Sequence, residues 1–193
     1  MPILPHLSLS APTQSHPARG FTAIELLVTI AILAVLAALA APSFTPSLER
    51  WRVMQATEQL KSTLYFARSE AIKQGGDIVI QKLTNAQSQG CTLAPGSNDW
   101  GCGWIVCHDS NGNGTCNTGE PVLQRTDINL EITRKAGGEK IKINRWGLVE
   151  GTYVGFALIT PGKNMSDPNS KGVCLSSGGR IRVIPSTELP CNS

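Results

Sequence analysis

The sequence predicts an α+β fold, with one long N-terminal α-helix packed on antiparallel β-sheet. Three observations predict it. An apolar run near the N-terminus continues into a helical stripe that stops at Gly75-Gly76. Beyond that point only short β-rich runs occur, separated by turn residues. All six cysteines lie in this second part.

The first element is the helix. From Leu26 to Ala41 no residue is charged, and Phe21 to Ile24 lie just ahead. That approaches the length a helix needs to cross a bilayer. Arg19 orients such a segment with its C-terminal end outward. Phe44, Leu48 and Trp51, followed by Val53, Ala56, Leu60, Leu64, Ala67 and Ala71, recur at helical spacing and read as one apolar stripe. Gly75-Gly76 is a C-cap signal. Pro42 and Pro46 are expected to kink or locally melt the helix. A helix over 22–74 would be roughly 80 Å long. Its first half is apolar on every side and suits a membrane or filament core. Its second half is apolar on one face and packs on a domain.

The later elements are strands. Candidates are Asp77–Leu83, Trp104–His108, Pro121–Arg125, Ile128–Arg134, Lys140–Asn144, Val154–Ile159, Gly172–Ser176 and Arg180–Ile184. The chain of 193 residues suffices for one globular domain with an appendage. Only 5% of residues are aromatic, so small and β-branched residues must do most of the packing. The expected divisions are residues 1–20, a leader; 21–45, the membrane or filament-core half of the helix; and 46–193, the globular domain.

Six cysteines without a CxxC pair suit an oxidising compartment and disulfides. Fifteen pairings are possible. The spacing favours Cys107–Cys116 across a hairpin and Cys174–Cys191 near the C-terminus, leaving Cys91–Cys102. A structural zinc site is the rival.

Three accounts of the N-terminus compete. A secretory signal peptide would be cut near Ala38-Leu39-Ala40. A plain anchor is never cut. A prepilin is cut ahead of the apolar run and keeps it. Glu25 discriminates among them. A carboxylate set in an apolar helix is costly in lipid unless paired, and benefits neither a signal peptide nor a plain anchor.

The run G-F-T-x-x-E-L-L-V-x-x-A-I-L-A, with Pro42 downstream, resembles the N-terminal signature of type IV prepilins and type II secretion pseudopilins. The resemblance implies cleavage after Gly20 by an inner-membrane prepilin peptidase and N-methylation of Phe21. It implies that Glu25 offsets a neighbouring subunit's N-terminal amine in the filament, where an opposite charge makes its burial tolerable. The chain would be single-pass in the inner membrane with a periplasmic globular domain, and would then enter a pilus or pseudopilus with other pilins. The leader is longer than many in the family. Further on, L-x-x-A-R-S-E-A-I-K-Q-G (Leu64 to Gly75), G-W-I-V-x-x-D-x-N-G-N-G-x-x-x-x-G-E-P-V-L (Gly103 to Leu123) and a late G-R-x-R strand are similar to the GspH/FimT-like minor pilins and pseudopilins. The fold implied is type IV pilin-like.

An enzyme is disfavoured. Of three His, His6 and His16 fall in the leader, leaving His108 alone. One His makes neither a metal cluster nor a triad. No GxSxG elbow, P-loop or GxGxxG is present.

Two segments could bind ligands. Asp109-Ser110-Asn111-Gly112-Asn113-Gly114 with Glu120 fits D-x-[DN]-x-[DN]-G-x5-E. Calcium would take oxygens from Asp109, Asn111, Asn113, the Thr115 carbonyl and Glu120. The alternative is an Asn-Gly hairpin turn. The second segment is Gly178 to Val183. On a strand Arg180 and Arg182 share one face, while Ile181 and Val183 face the core. Two adjacent guanidinium forks suit phosphate. Lys163 and Lys171 could extend the patch. Residues 121–193 hold ten bases against six acids, which favours a polyanion. In FimT-like minor pilins of naturally transformable bacteria a G-R-x-R motif is implicated in DNA binding. That resemblance points to Gly179, Arg180 and Arg182 and to double-stranded DNA. The alternative is a solvated edge strand whose charges block sheet-to-sheet pairing.

The leading expectation is therefore a type IV minor pilin that captures extracellular DNA for natural transformation. The first rival is a GspH-like minor pseudopilin of the type II secretion system with a structural role at the tip. The second is an assembly or adhesion subunit with no DNA role.

Overall fold

A computed structural model describes residues 20–135 and 137–192, with the backbone alone at 40–43. The expected leader, His6 and His16 lie outside the described residues, except for Gly20. The chain divides into two compact units, one ending at Pro42 and the other starting at Ser43.

In the first unit the backbone is helical from Ala23. Its apolar residues are exposed on all sides; Phe21, Ile24 and Leu33 are each more than 60% accessible. No single described helix is long and apolar enough to cross a membrane. The Ala23–Leu39 arm reaches that measure only together with the helix after it.

In the second unit helix α1 (Ala23–Gln74 in full) runs to its C-cap. The N–H of Gly76 bonds to the carbonyl of Ala71 at 2.8 Å, and Gly75 sits at φ +84°. That 6→1 bond needs a left-handed residue before it, which glycine supplies without a Cβ clash. The backbone remains helical at Pro46 rather than melting. Pro46 falls in the first turn of this unit's helix, where a missing N–H is best tolerated.

Eight strands follow: β1 (Ile78–Lys82), β2 (Gly103–His108), β3 (Val122–Asp127), β4 (Glu131–Lys135), β5 (Lys140–Ile143), β6 (Val154–Ile159), β7 (Lys171–Leu175) and β8 (Ile181–Pro185). All eight expected strands are present, with ends moved by up to three residues. They form two antiparallel four-stranded sheets, ordered β3-β2-β1-β5 and β4-β6-β7-β8. The chain therefore leaves the first sheet for β4, returns for β5, and leaves again for β6.

The core lies between the helix and both sheets. Val53, Ala56, Leu60, Leu64, Ala67 and Ala71 are buried with Ile78, Ile80, Trp104, Ile141, Phe156, Leu158 and Val173. Trp100 meets Phe156 edge-on, with ring centroids 5.1 Å apart. Trp104 donates its indole N–H to the Thr63 hydroxyl at 3.0 Å.

The single stripe expected along the helix is in fact two. Phe44, Leu48 and Trp51 are exposed, while the buried series begins at Val53. At about 100° per residue, the two-residue step from Trp51 to Val53 moves the apolar face roughly halfway round the helix. The first three residues therefore point away from the domain core.

Three disulfides join Cys91 to Cys102, Cys107 to Cys116 and Cys174 to Cys191. These are the pairs that spacing favours. The zinc alternative falls because no thiol is left free among the described residues.

Candidate nucleic-acid interface

β8 is an edge strand, paired to β7 with Cys174 opposite Arg182 and Leu175 opposite Ile181. The turn before it is closed by the Gly179 amide bonding to the Ser176 carbonyl at 2.8 Å. The Ser176 hydroxyl accepts the Arg180 amide at 3.1 Å. Arg180 and Arg182 are exposed and line one shallow cleft with Tyr153, Ser176 and Asn192.

The apolar side of β8 departs from expectation. Ile181 packs against the main core, but Val183 is 42% exposed. Ile184 is the buried residue, set beside Cys174 and Cys191 on the Arg182 side of the strand. The Cys174–Cys191 bridge brings the C-terminal tail over that face, so it carries apolar contacts of its own.

Five of the ten bases in residues 121–193 are already engaged. Arg125 pairs with Asp127 at 2.7 Å. Arg134 is buried, donates to the carbonyls of Gly138 (2.8 Å) and Lys140 (2.6 Å), and lies 5.8 Å from the Trp100 ring. Burial pulls its pKa down to about 10. Lys135 reaches the Cys191 carbonyl, Lys140 the Thr115 hydroxyl, and Lys142 lies near Asp77 and Asp109. Among the described residues, the side chains of Arg145, Lys163, Lys171, Arg180 and Arg182 form no ion pair.

The structure does not bring all of these together. Lys171 lies opposite Pro185, at the far end of the β7–β8 ladder from Arg180. Lys163 is in the turn after β6, whose end is paired with the Lys171 end of β7. Four residue steps along the strand separate Lys171 from Leu175, roughly 13 Å. The lysines therefore do not extend the arginine cleft, and that expectation is corrected.

Sequence reasoning missed Arg68. This helix residue donates from Nε to the Gly147 carbonyl at 2.8 Å and from Nη1 to the Gly179 carbonyl. It ties the turn that carries Arg180 to the helix. Its place within A-R-S-E-A-I-K-Q-G was the only signal available.

The Asp109–Glu120 loop lies between β2 and β3. Asp109 is buried, and its carboxylate accepts the amides of Asn113 (3.1 Å) and Gly114 (2.6 Å). Asn111 Oδ1 accepts the Asn113 amide, and Asn113 Oδ1 accepts the Thr115 amide. Glu120 Oε2 accepts the Asn117 amide at 2.8 Å, while Oε1 is buried without a partner. A cation would satisfy that oxygen, yet Lys142 already lies 3.9 Å from Asp109 Oδ2. Among the described residues no three His, Cys, Asp or Glu side chains are gathered as a metal site.

At the N-terminus Gly20 and Phe21 are exposed, and the Thr22 hydroxyl accepts the Glu25 amide at 3.3 Å. His108 is partly buried and faces the Ser110 hydroxyl at 3.1 Å.

An apolar helical arm leading into a stripe-packed helix over two antiparallel sheets is the architecture of type IV pilin-like subunits. The family described as Type II transport protein GspH matches residues 56–179, and the Prokaryotic N-terminal methylation motif matches residues 16–41. The chain belongs to the GspH family. Among solved structures it is similar to the type IV minor pilin FimU of Pseudomonas aeruginosa in two crystal forms. Identity is 28% in both, with TM-scores of 0.52 and 0.54; 71% and 74% of this chain and 96% and 95% of that one are covered. The minor pseudopilin EpsH of the Type 2 Secretion System of Vibrio cholerae aligns at 14% identity and a TM-score of 0.48, over 69% of this chain and 97% of its own. No curated protein matches the sequence. The protein is a minor pilin or pseudopilin, a filament subunit and not an enzyme.

Proposed function

We propose that this chain is a minor pilin of a type IV pilus that binds double-stranded DNA through Gly179, Arg180 and Arg182, for uptake in natural transformation. The observation that carries the reading is the cleft in which two exposed guanidiniums stand together without a carboxylate partner among the described residues. Two such forks hold phosphate oxygens bidentately and read no base. Binding is then sequence-independent and strongly salt-sensitive.

Maturation follows from the same reading. The prepilin peptidase cuts after Gly20, Phe21 is methylated, and the apolar arm holds the chain in the inner membrane with residues 46–193 in the periplasm. Glu25 then meets a neighbour's N-terminal amine during assembly. The exposed Phe44, Leu48 and Trp51 give neighbouring helices an apolar face.

The family description favours a second reading, a structural minor pseudopilin of the type II secretion system. A gel shift with the full chain in detergent separates the two. The first reading expects duplex binding in low salt that weakens steeply as salt rises, and its loss in Arg180→Ala/Arg182→Ala. Absence of binding in low salt favours the second.

A further inference from the structure

The turn Asn144–Gly147, between β5 and the following chain, lies beside the Gly179 turn. One guanidinium, that of Arg68, bonds to the carbonyls of both Gly147 and Gly179, so the two turns stand a single fork's width apart. The Asn144 side chain closes its own turn, with Oδ1 accepting the amides of Trp146 (3.0 Å) and Leu148 (3.1 Å). The backbone adds bonds from the Gly147 amide to the Asn144 carbonyl (2.8 Å) and from the Asn144 amide to the Leu148 carbonyl (2.9 Å). Gly147 sits at φ +71°, and a Cβ there would meet Ile72 Cδ1 at 3.1 Å. The turn is thus fixed from inside and from the helix.

This fixed turn holds an indole outward. Trp146 is 72% exposed, whereas Trp100 and Trp104 are fully buried. An indole left in water forgoes the gain that burial would bring. Arg145, next to it, is exposed and forms no ion pair among the described residues. Across the Arg68 bridge is the Gly179 turn, from which the chain runs on into Arg180 and Arg182. An aromatic face with exposed cations on the same and the neighbouring turn is the composition that binds single strands: cations take the phosphates and the ring stacks a base.

We infer that Trp146 is a stacking platform for an unpaired nucleobase, with Arg145 and the Arg180–Arg182 pair taking the flanking phosphates. The surface then takes a single-stranded stretch or a frayed duplex end more tightly than a closed duplex. This rests on the phosphate-binding reading of Arg180 and Arg182.

The test measures fluorescence anisotropy of the full chain in detergent with two labelled probes, an oligothymidylate of about 20 nucleotides and a closed hairpin duplex with as many phosphates. Wild type binds the single strand more tightly. Trp146→Ala lowers single-strand affinity by about tenfold and leaves hairpin affinity unchanged, while Trp146→Phe keeps most of the preference because a phenyl ring also stacks. If Trp146→Ala leaves single-strand affinity unchanged while Arg180→Ala/Arg182→Ala abolishes binding to both probes, stacking is overturned and the phosphate reading stands. If the arginine variant binds both probes normally, that reading falls and stacking falls with it. A Trp146→Ala chain that binds both probes normally but no longer assembles assigns the ring to a pilin contact and overturns the inference.

Discussion

The guanidinium of Arg68 lies against Gly179 so closely that a Cβ there would sit 2.8 Å from Nη2. Gly179 also holds φ +81°, a conformation costing an L-residue about 1–2 kcal/mol. Gly179→Ala therefore combines backbone strain with a collision that pushes the Arg180 turn off the helix. We expect a lower melting temperature and weaker DNA binding, read by thermal melting and gel shift. Equal DNA affinity in Gly179→Ala would show that the position of the turn does not matter.

The assembly role proposed for Glu25 gives a second test. This residue is exposed on the apolar arm, with no ion-pair partner among the described residues. Breaking a buried charge pair by removing one partner costs about 3–5 kcal/mol. Glu25→Gln should still be cut after Gly20 yet enter filaments at least tenfold less. Immunoblots of sheared filaments measure this, and equal amounts of variant and wild type would remove the assembly role.

Lys82 supports the fold from a buried position. Its ammonium donates to the carbonyls of Ala94 (3.3 Å), Gly96 and Asp99 (2.9 Å). Lys82→Met leaves these without their charged donor and should cost about 2–3 kcal/mol. Burial lowers the lysine's pKa from its ordinary 10.5. The unfolded chain therefore binds this proton more tightly. Just below pH 10.5 the unfolded state carries more protons, so this residue's contribution to stability rises with pH. The wild-type slope of stability against pH in that window should exceed that of Lys82→Met; equal slopes would argue that the ammonium is not desolvated.

The Asp109–Glu120 loop gives a fourth test. Asp109→Ala removes the acceptor for two backbone amides and should destabilise by about 1–3 kcal/mol even in chelator. The calcium expectation predicts in addition that millimolar calcium raises the wild-type melting temperature and that Glu120→Gln abolishes the rise. An unchanged wild-type melt in calcium leaves the loop as a hairpin turn.

The strands and the helix end were legible because turn residues punctuate them. Gly75-Gly76 ends α1, and each strand ends near Gly, Pro, Asn or Asp. What depends on distant partners was not legible. Nothing in the run Asp77–Leu83 marks Lys82 as covered, yet residues 94–99 fold over it. Phe44 and Val53 look alike as apolar helix residues, and only the position of the sheets decides which is covered. Lys163 and Lys171 lie near Arg180 in sequence, but the hairpin carries them to the opposite end of the ladder. The Arg68 bridge spans 79 and 111 residues, and no local pattern signals it.

The interleaving of β5 between β4 and β6 ties the two sheets by alternate passes of one chain. Neither sheet can be excised, swapped with a relative or evolved as a separate module without cutting the other. Insertions belong at hairpin tips, and the globular part should melt in a single cooperative step.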